Sequence, residues 1–276
     1  MRPLSIVALQ TAPEAGDPDA TLARLAERVS QVRALAPHVQ LVLLPELHLS
    51  SPPSRVPVEI TGALTDALGE IACESDLWLV PGTVYERDED GAIHNTCLVF
   101  SPEGELVARY RKVFPWEPHE TCTPGDSFVT FDIPEVGTIG LSICYDGSFP
   151  EICRQLAWMG AEVVLQPSLT TTTDRAAEIV VARANAIFNQ LYVVSLNAAA
   201  PAGLGRSVIV DPEGIVRYQA GDSEEAITDV LDLDAVTRVR RFGTAGVSRL
   251  WDQFERRRAE LDLSVYSTSA RASSSA

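Results

Sequence analysis

Short apolar, β-branched runs alternate with helically spaced stretches along most of this 276-residue chain. Runs at 6–10, 39–44, 77–81 and 96–100 read as strands, and 21–35 and 64–73 between them read as helices. A second set follows, with strands at 138–143, 163–165, 191–197 and 207–210 and helices at 150–159 and 175–189. Strands that are apolar on consecutive positions are buried on both faces, so helices must cover the sheets. The fold class is therefore α/β. Two successive strand–helix sets fit two sheets packed face to face with helices outside. One doubly wound sheet fits the same pattern, and periodicity alone does not separate the two.

With 46% hydrophobic residues the chain can bury a large core in one domain, and no Pro/Gly/Ser-rich linker divides its middle. Residues 1–266 are expected to form that domain, and the small, polar stretch 267–276 a disordered tail. Seven arginines fall within 236–258, and a helix is expected at 247–261. Two readings of 236–262 stand: a solvated helix face paired with acidic neighbours, or a contact segment between subunits.

The formal net charge of −16 repels phosphate backbones, so no nucleic-acid partner is expected. The apolar run 5–10 is too short for a signal peptide, and no stretch reaches the roughly 18 apolar residues of a membrane span. A cytoplasmic protein without a membrane partner is the expectation. Five cysteines, an odd number in a long chain, argue against a disulfide framework. There is no Cys-x-x-Cys pair, and the four histidines are scattered, so no metal site is expected.

The segment from Gly140 to Glu151 carries the most chemistry. Cys144 ends a strand, just before a turn and a helix start. Ser148 and Glu151 fit a capping box, with Pro150 in the first helical turn. Backbone N–H groups there can face developing negative charge, and the helix dipole favours a thiolate. A thiolate of that kind would be alkylated faster than an ordinary thiol below about pH 7. A buried, inert cysteine is the plainer reading, and it suits Cys73, Cys97 and Cys153 better than Cys144.

Two charged candidates accompany it. The apolar run 42–44 ends in Pro45 and Glu46, where α/β sheets place their ligands. A desolvated carboxylate at that position is suited to act as a base, although an ordinary loop glutamate reads the same in isolation. Lys112 lies between a strand-like run, 106–110, and the apolar pair Val113 and Phe114, a poor setting for a merely solubilising lysine. A thiol attacking a carbonyl needs a base and an oxyanion stabiliser, and Glu46 and Lys112 can supply them. No Gly-x-Ser-x-Gly elbow, Walker A loop, Gly-x-Gly-x-x-Gly fingerprint or deaminase zinc pattern competes.

In this order, Leu44-Pro45-Glu46, Tyr110-Arg111-Lys112 and the Ile143-Cys144-Tyr145-Asp146 segment resemble the carbon–nitrogen hydrolase (nitrilase) superfamily. The run from Arg111 through Trp116 and Glu120 to Gly125 is most similar to the aliphatic amidase and formamidase branch, with matching intervals of 8 residues from Lys112 to Glu120 and 24 from Glu120 to Cys144. The resemblance implies a four-layer αββα sandwich, a homodimer or larger homo-oligomer, and no cofactor. It implies that Cys144 attacks the carbonyl, Glu46 is general base and Lys112 stabilises the oxyanion together with the Tyr145 N–H. Glu120 would orient substrate or assist proton transfer, and Trp116 and Asp146 would match pocket positions. The reaction implied is hydrolysis of a small to medium carboxamide through a thioester. Nitrile or N-carbamoyl hydrolysis by the same residues, and a non-catalytic binding scaffold, are the alternatives. Leu47, and the segment from Gln166 to Thr170, lack the aromatic residues that the short-chain amidases carry there, which predicts a roomier or differently shaped acyl pocket.

Overall fold

In the computed structural model, residues 1–13, 18–49, 57–60, 62–258 and 260–261 are described. The strands are β1 (Pro3–Gln10), β2 (Leu41–Leu43), β3 (Trp78–Val80), β4 (Thr83–Arg87), β5 (Ile93–Phe100), β6 (Leu106–Arg111), β7 (Thr130–Ile133), β8 (Gly137–Leu141), β9 (Val163–Ser168), β10 (Tyr192–Asn197), β11 (Val208–Val210), β12 (Val216–Gln219) and β13 (Glu225–Asp232). The helices are α1 (Pro18–Leu35), α2 (Gly62–Ser75), α3 (Pro150–Trp158), α4 (Arg175–Asn189), α5 (Leu233–Phe242) and α6 (Leu250–Arg257), with one 3-10 turn at Cys144–Ser148.

Two sheets result. The first runs β13-β1-β2-β3-β5, with β4 and β6 also pairing to β5; the second runs β12-β11-β10-β9-β8-β7. Each has a parallel centre, β1-β2-β3 in one and β8-β9-β10 in the other, flanked by antiparallel strands. Side-chain alternation divides the central strands between two apolar layers. Ile6, Leu43, Val99 and Tyr110 of the first sheet meet Ile139, Leu141, Leu165 and Val194 of the second. On the opposite face, Val7, Val42 and Leu79 pack under α1 and α2 through Leu25, Val29, Leu68 and Ala72. Val164 and Val193 pack under α3 and α4 through Ile152, Leu156, Ala182 and Ala186. This is the αββα sandwich, and it excludes the single doubly wound sheet. Each fully buried leucine or isoleucine in these layers contributes about 1.5–3 kcal/mol.

Four strands lie outside the sequence expectations: β4, β7, β12 and β13. Their runs mix charged with apolar residues, as in the Glu225–Asp232 strand, because one face meets water. The helix expected at 247–261 covers only Leu250–Arg257, and α5 before it ends at Gly243 with φ 88°. Arginines of this segment find partners within the chain. Arg240 stacks on Trp251, Arg258 on Trp158, and Arg256 pairs with Asp252 at 2.7 Å. The tail expected to be disordered, 267–276, lies outside the described residues. Among the described residues no helix is long and apolar enough to cross a membrane, and no group of three or more His, Cys, Asp or Glu side chains could hold a metal ion.

Candidate active site

Strand ends from both sheets converge on one buried polar cluster. Glu46 lies just beyond β2, at its carboxyl end, and is almost fully buried. The chain can turn there because Gly82, with φ 86°, leaves room for the Pro45 carbonyl, which a Cβ at Gly82 would strike. Lys112 continues β6, its N–H donating to the Asn95 carbonyl of β5 at 2.8 Å. Alternation turns Arg109 and Arg111 outward to the buried Glu86 carboxylate and Lys112 inward. Behind Lys112, the Gly125 N–H donates to its carbonyl at 2.8 Å, and a Cβ at Gly125 would collide with the Arg111 carbonyl.

The Lys112 ammonium donates to Glu46 Oε1 at 2.9 Å and to Glu120 Oε2 at 2.7 Å. Asn95 Nδ2 ties the same two carboxylates together, at 2.8 Å to Glu46 and 2.7 Å to Glu120. The Leu169 N–H donates to Glu46 Oε2 at 2.8 Å, and the Trp116 N–H to Glu120 Oε2 at 3.0 Å. Burial alone would discharge Lys112, yet the glutamates outweigh it and hold the lysine well above its ordinary range. Burial likewise pushes Glu120 up, but Lys112 and the hydrogen bonds prevail and hold it below the usual carboxylate range.

Cys144 has φ 46°, a left-handed conformation that a side chain other than glycine adopts only under strain. Gln166 Nε2 holds its carbonyl at 2.7 Å. Asp146 fastens the turn: it accepts from the Ile143 and Phe114 N–H groups at 2.9 and 2.8 Å and from the Tyr110 hydroxyl at 2.7 Å. The Tyr145 N–H belongs to the first turn of the 3-10 segment, whose leading N–H groups find no partner within the turn itself. The sulfur lies 3.9 Å from the Thr170 hydroxyl. Burial, and then the Glu46 charge, push the Cys144 thiol above its ordinary value, against Lys112. Both raising influences work against the resting thiolate that a helix dipole would support.

A recess of about 20 Å³ opens at Cys144 between Trp116, Tyr145, Thr170 and Glu178. That is room for one or two water molecules. Asp146 does not line this recess; it is fully buried and spent on fastening the turn. Leu47 does not line it either, being packed behind Glu46 with its N–H on the Thr83 hydroxyl at 2.8 Å. The capping box expected from Ser148 is replaced by Phe149 as N-cap, with no side-chain cap and Pro150 in the first turn. Glu46, Lys112 and Glu120 thus meet in one network, with Cys144 at its edge. Sequence reasoning missed Asn95 and Glu178. The alternation of β5 could have found Asn95, because Cys97 and Val99 point between the sheets and Asn95 follows the same parity.

Comparison with known proteins agrees with this architecture. The family model described as carbon-nitrogen hydrolase matches residues 5–241. The omega-amidase NIT2 of Mus musculus is 34% identical over 199 residues, covering 66% of this chain and 71% of its own. The crystal structure of Saccharomyces cerevisiae Nit3, described as a member of branch 10 of the nitrilase superfamily, has a TM-score of 0.79 at 30% identity, covering 87% of this chain and 94% of its own. A cysteine-to-alanine mutant of the Nesterenkonia AN1 amidase, from the nitrilase superfamily, has a TM-score of 0.74 at 25% identity, covering 86% of this chain and 94% of its own.

Proposed function

The chain belongs to the carbon–nitrogen hydrolase family and is an amidase-type hydrolase of non-peptide C–N bonds; on that footing we propose that it hydrolyses a small carboxamide through a thioester on Cys144. In the proposed first step Glu46 takes the Sγ proton as sulfur bonds to the amide carbon. The carbonyl electron pair moves to oxygen, where the Lys112 ammonium and the Tyr145 N–H receive it. The intermediate collapses as the C–N bond breaks, and the proton held by Glu46 passes to the leaving nitrogen, which departs as ammonia. Glu46 then takes a proton from water, the hydroxide attacks the thioester, and the C–S bond breaks to give the acid and the restored thiol. Glu120 orients the amide and keeps Lys112 charged.

The observation that carries the reading is the three-point clamp on Glu46: Lys112 at 2.9 Å, Asn95 at 2.8 Å and the Leu169 N–H at 2.8 Å. A carboxylate so held is fixed in orientation, which is what a base serving one nucleophile needs. The raised thiol also fits it, because such a sulfur needs a neighbour to take its proton when substrate arrives. The test compares an amide, a nitrile and an N-carbamoyl compound of one small acyl group on the wild-type enzyme and on Cys144→Ala. The amide should be turned over fastest, and the variant should lose about 10⁴-fold or more of that rate. A variant within tenfold of wild type would remove Cys144 from the chemistry.

A further inference from the structure

One wall of the recess is acidic. Glu178, on the first turn of α4, and Asp174, just before that helix, are the ionisable side chains lining it apart from Cys144 and Tyr145, among the described residues. Glu178 is fixed from behind. Arg175 is fully buried and donates to Glu178 Oε2 at 2.9 Å; its remaining bonds run to the Ser195 hydroxyl, the Ser195 carbonyl and the Arg206 carbonyl, each at 3.1 Å. The guanidinium therefore sets the Glu178 rotamer and offsets part of its charge from behind, but lines no part of the recess, whereas Asp174 has no such partner in it among the described residues. Toward Cys144, Glu178 meets the Thr170 hydroxyl, 2.9 Å from each of its oxygens, and that hydroxyl is itself 3.9 Å from the sulfur. Lys112, the cation nearest the reacting centre, is engaged by Glu46 and Glu120.

We propose that Glu178, assisted by Asp174, selects amides whose acyl part ends in a positively charged amine. This rests on the amidase reading above and names its substrate class. An ammonium placed two or three bonds beyond the amide carbon reaches Glu178 across Thr170, and Thr170 and Thr172 offer further oxygen acceptors. A carboxylate in the same place faces Glu178 and Asp174, with no cation among the described lining residues to receive it. Like charge across a small, partly desolvated space is a strong rejecting element, and specificity is set as much by rejection as by attraction. The net charge of −16 adds to the same preference by drawing cations toward the surface.

The test uses three amides that share a two-carbon spacer beyond the amide carbon: β-alaninamide, with a terminal ammonium at neutral pH, neutral butyramide, and succinamate, with a terminal carboxylate. On wild type, kcat/KM for β-alaninamide should exceed that for succinamate by about 100-fold or more. In Glu178→Gln the ratio of β-alaninamide to butyramide should fall about tenfold, carried mainly by KM for β-alaninamide. A merely structural role for Glu178 would depress both substrates alike and leave the ratio unmoved, which would overturn the proposal. Should loss of the Arg175 partner unfold that variant, Asp174→Asn at the exposed rim reads the same ratio and should lower it about threefold; no change there would equally count against the proposal. Butyramide turned over with succinamate preferred to β-alaninamide overturns this inference and leaves the amidase reading standing. Inert behaviour of all three amides, with no acyl group on Cys144, removes both.

Discussion

A protonated nucleophile changes what Cys144 is expected to do before substrate arrives. Burial and Glu46 raise its thiol, so at neutral pH very little thiolate exists. Iodoacetamide at pH 7 should accordingly modify Cys144 more slowly than a small free thiol, and the rate should still be rising at pH 9. Peptide mass spectrometry over time reads this directly; modification at pH 7 faster than the free thiol would show a stabilised resting thiolate instead. The residues that sequence reveals are those whose chemistry clashes with their neighbours. A glutamate after 42–44 and a lysine before Val113 each interrupt an apolar run, and their partnership is visible as an anomaly. Asn95 and Glu178 interrupt nothing. Asn95 lies in the first half of an ordinary strand, and Glu178 has the spacing of a solvated first-turn acid, so only three-dimensional placement identifies them.

At the scale of elements, the site depends on backbones passing closely at strand ends. β2 delivers Glu46 over Gly82, and β6 delivers Lys112 against Gly125. Gly82→Ala places a side chain at φ 86° and drives it into the Pro45 carbonyl. The expected cost is about 1–3 kcal/mol of stability with a disproportionate loss of kcat, because the displaced residue is next to Glu46. Chemical denaturation together with steady-state kinetics checks it; a variant with wild-type midpoint and kcat would mean that the close approach is not needed. Strands buried on both faces, such as β9 and β10, are legible in the sequence because their apolar run is continuous, and α4 because its buried face keeps helical spacing. Strands with one wet face are not, since β12 and β13 alternate with charges that read equally well as loop. The 3-10 turn at Cys144–Ser148 is hidden for another reason: its fastening comes from Asp146 reaching residues 110 and 114, far away in sequence.

For the whole molecule, two buried groups set opposing responses to acid. Burial raises Asp146 to about 6, against its hydrogen bonds. Its folded value lies above the unfolded one, so the folded state holds the extra proton and stability falls as pH rises through that interval. Burial lowers His48 to about 4, so there the unfolded state holds the extra proton and stability rises with pH. Each spans on the order of 3 kcal/mol, and they oppose each other between about pH 4.5 and 6. His48→Gln removes one of them. Relative to wild type, that variant should gain stability as pH is lowered from 6 to 4.5, measured as the difference in urea unfolding free energy; a difference independent of pH would contradict the account. Periodicity leaves the sandwich as a whole undecided, because pairing between sheets depends on a shared core, with Leu43 of one sheet and Leu165 of the other in the same apolar cluster, that no local pattern encodes. What remains central is the covalent role of Cys144. The most direct measurement mixes wild-type enzyme with a turned-over amide, quenches in acid within the first turnover and weighs the peptide containing residue 144. The account predicts a gain of one acyl group on that peptide and none in Cys144→Ala; normal turnover with an unmodified Cys144 peptide at every quench time would contradict it.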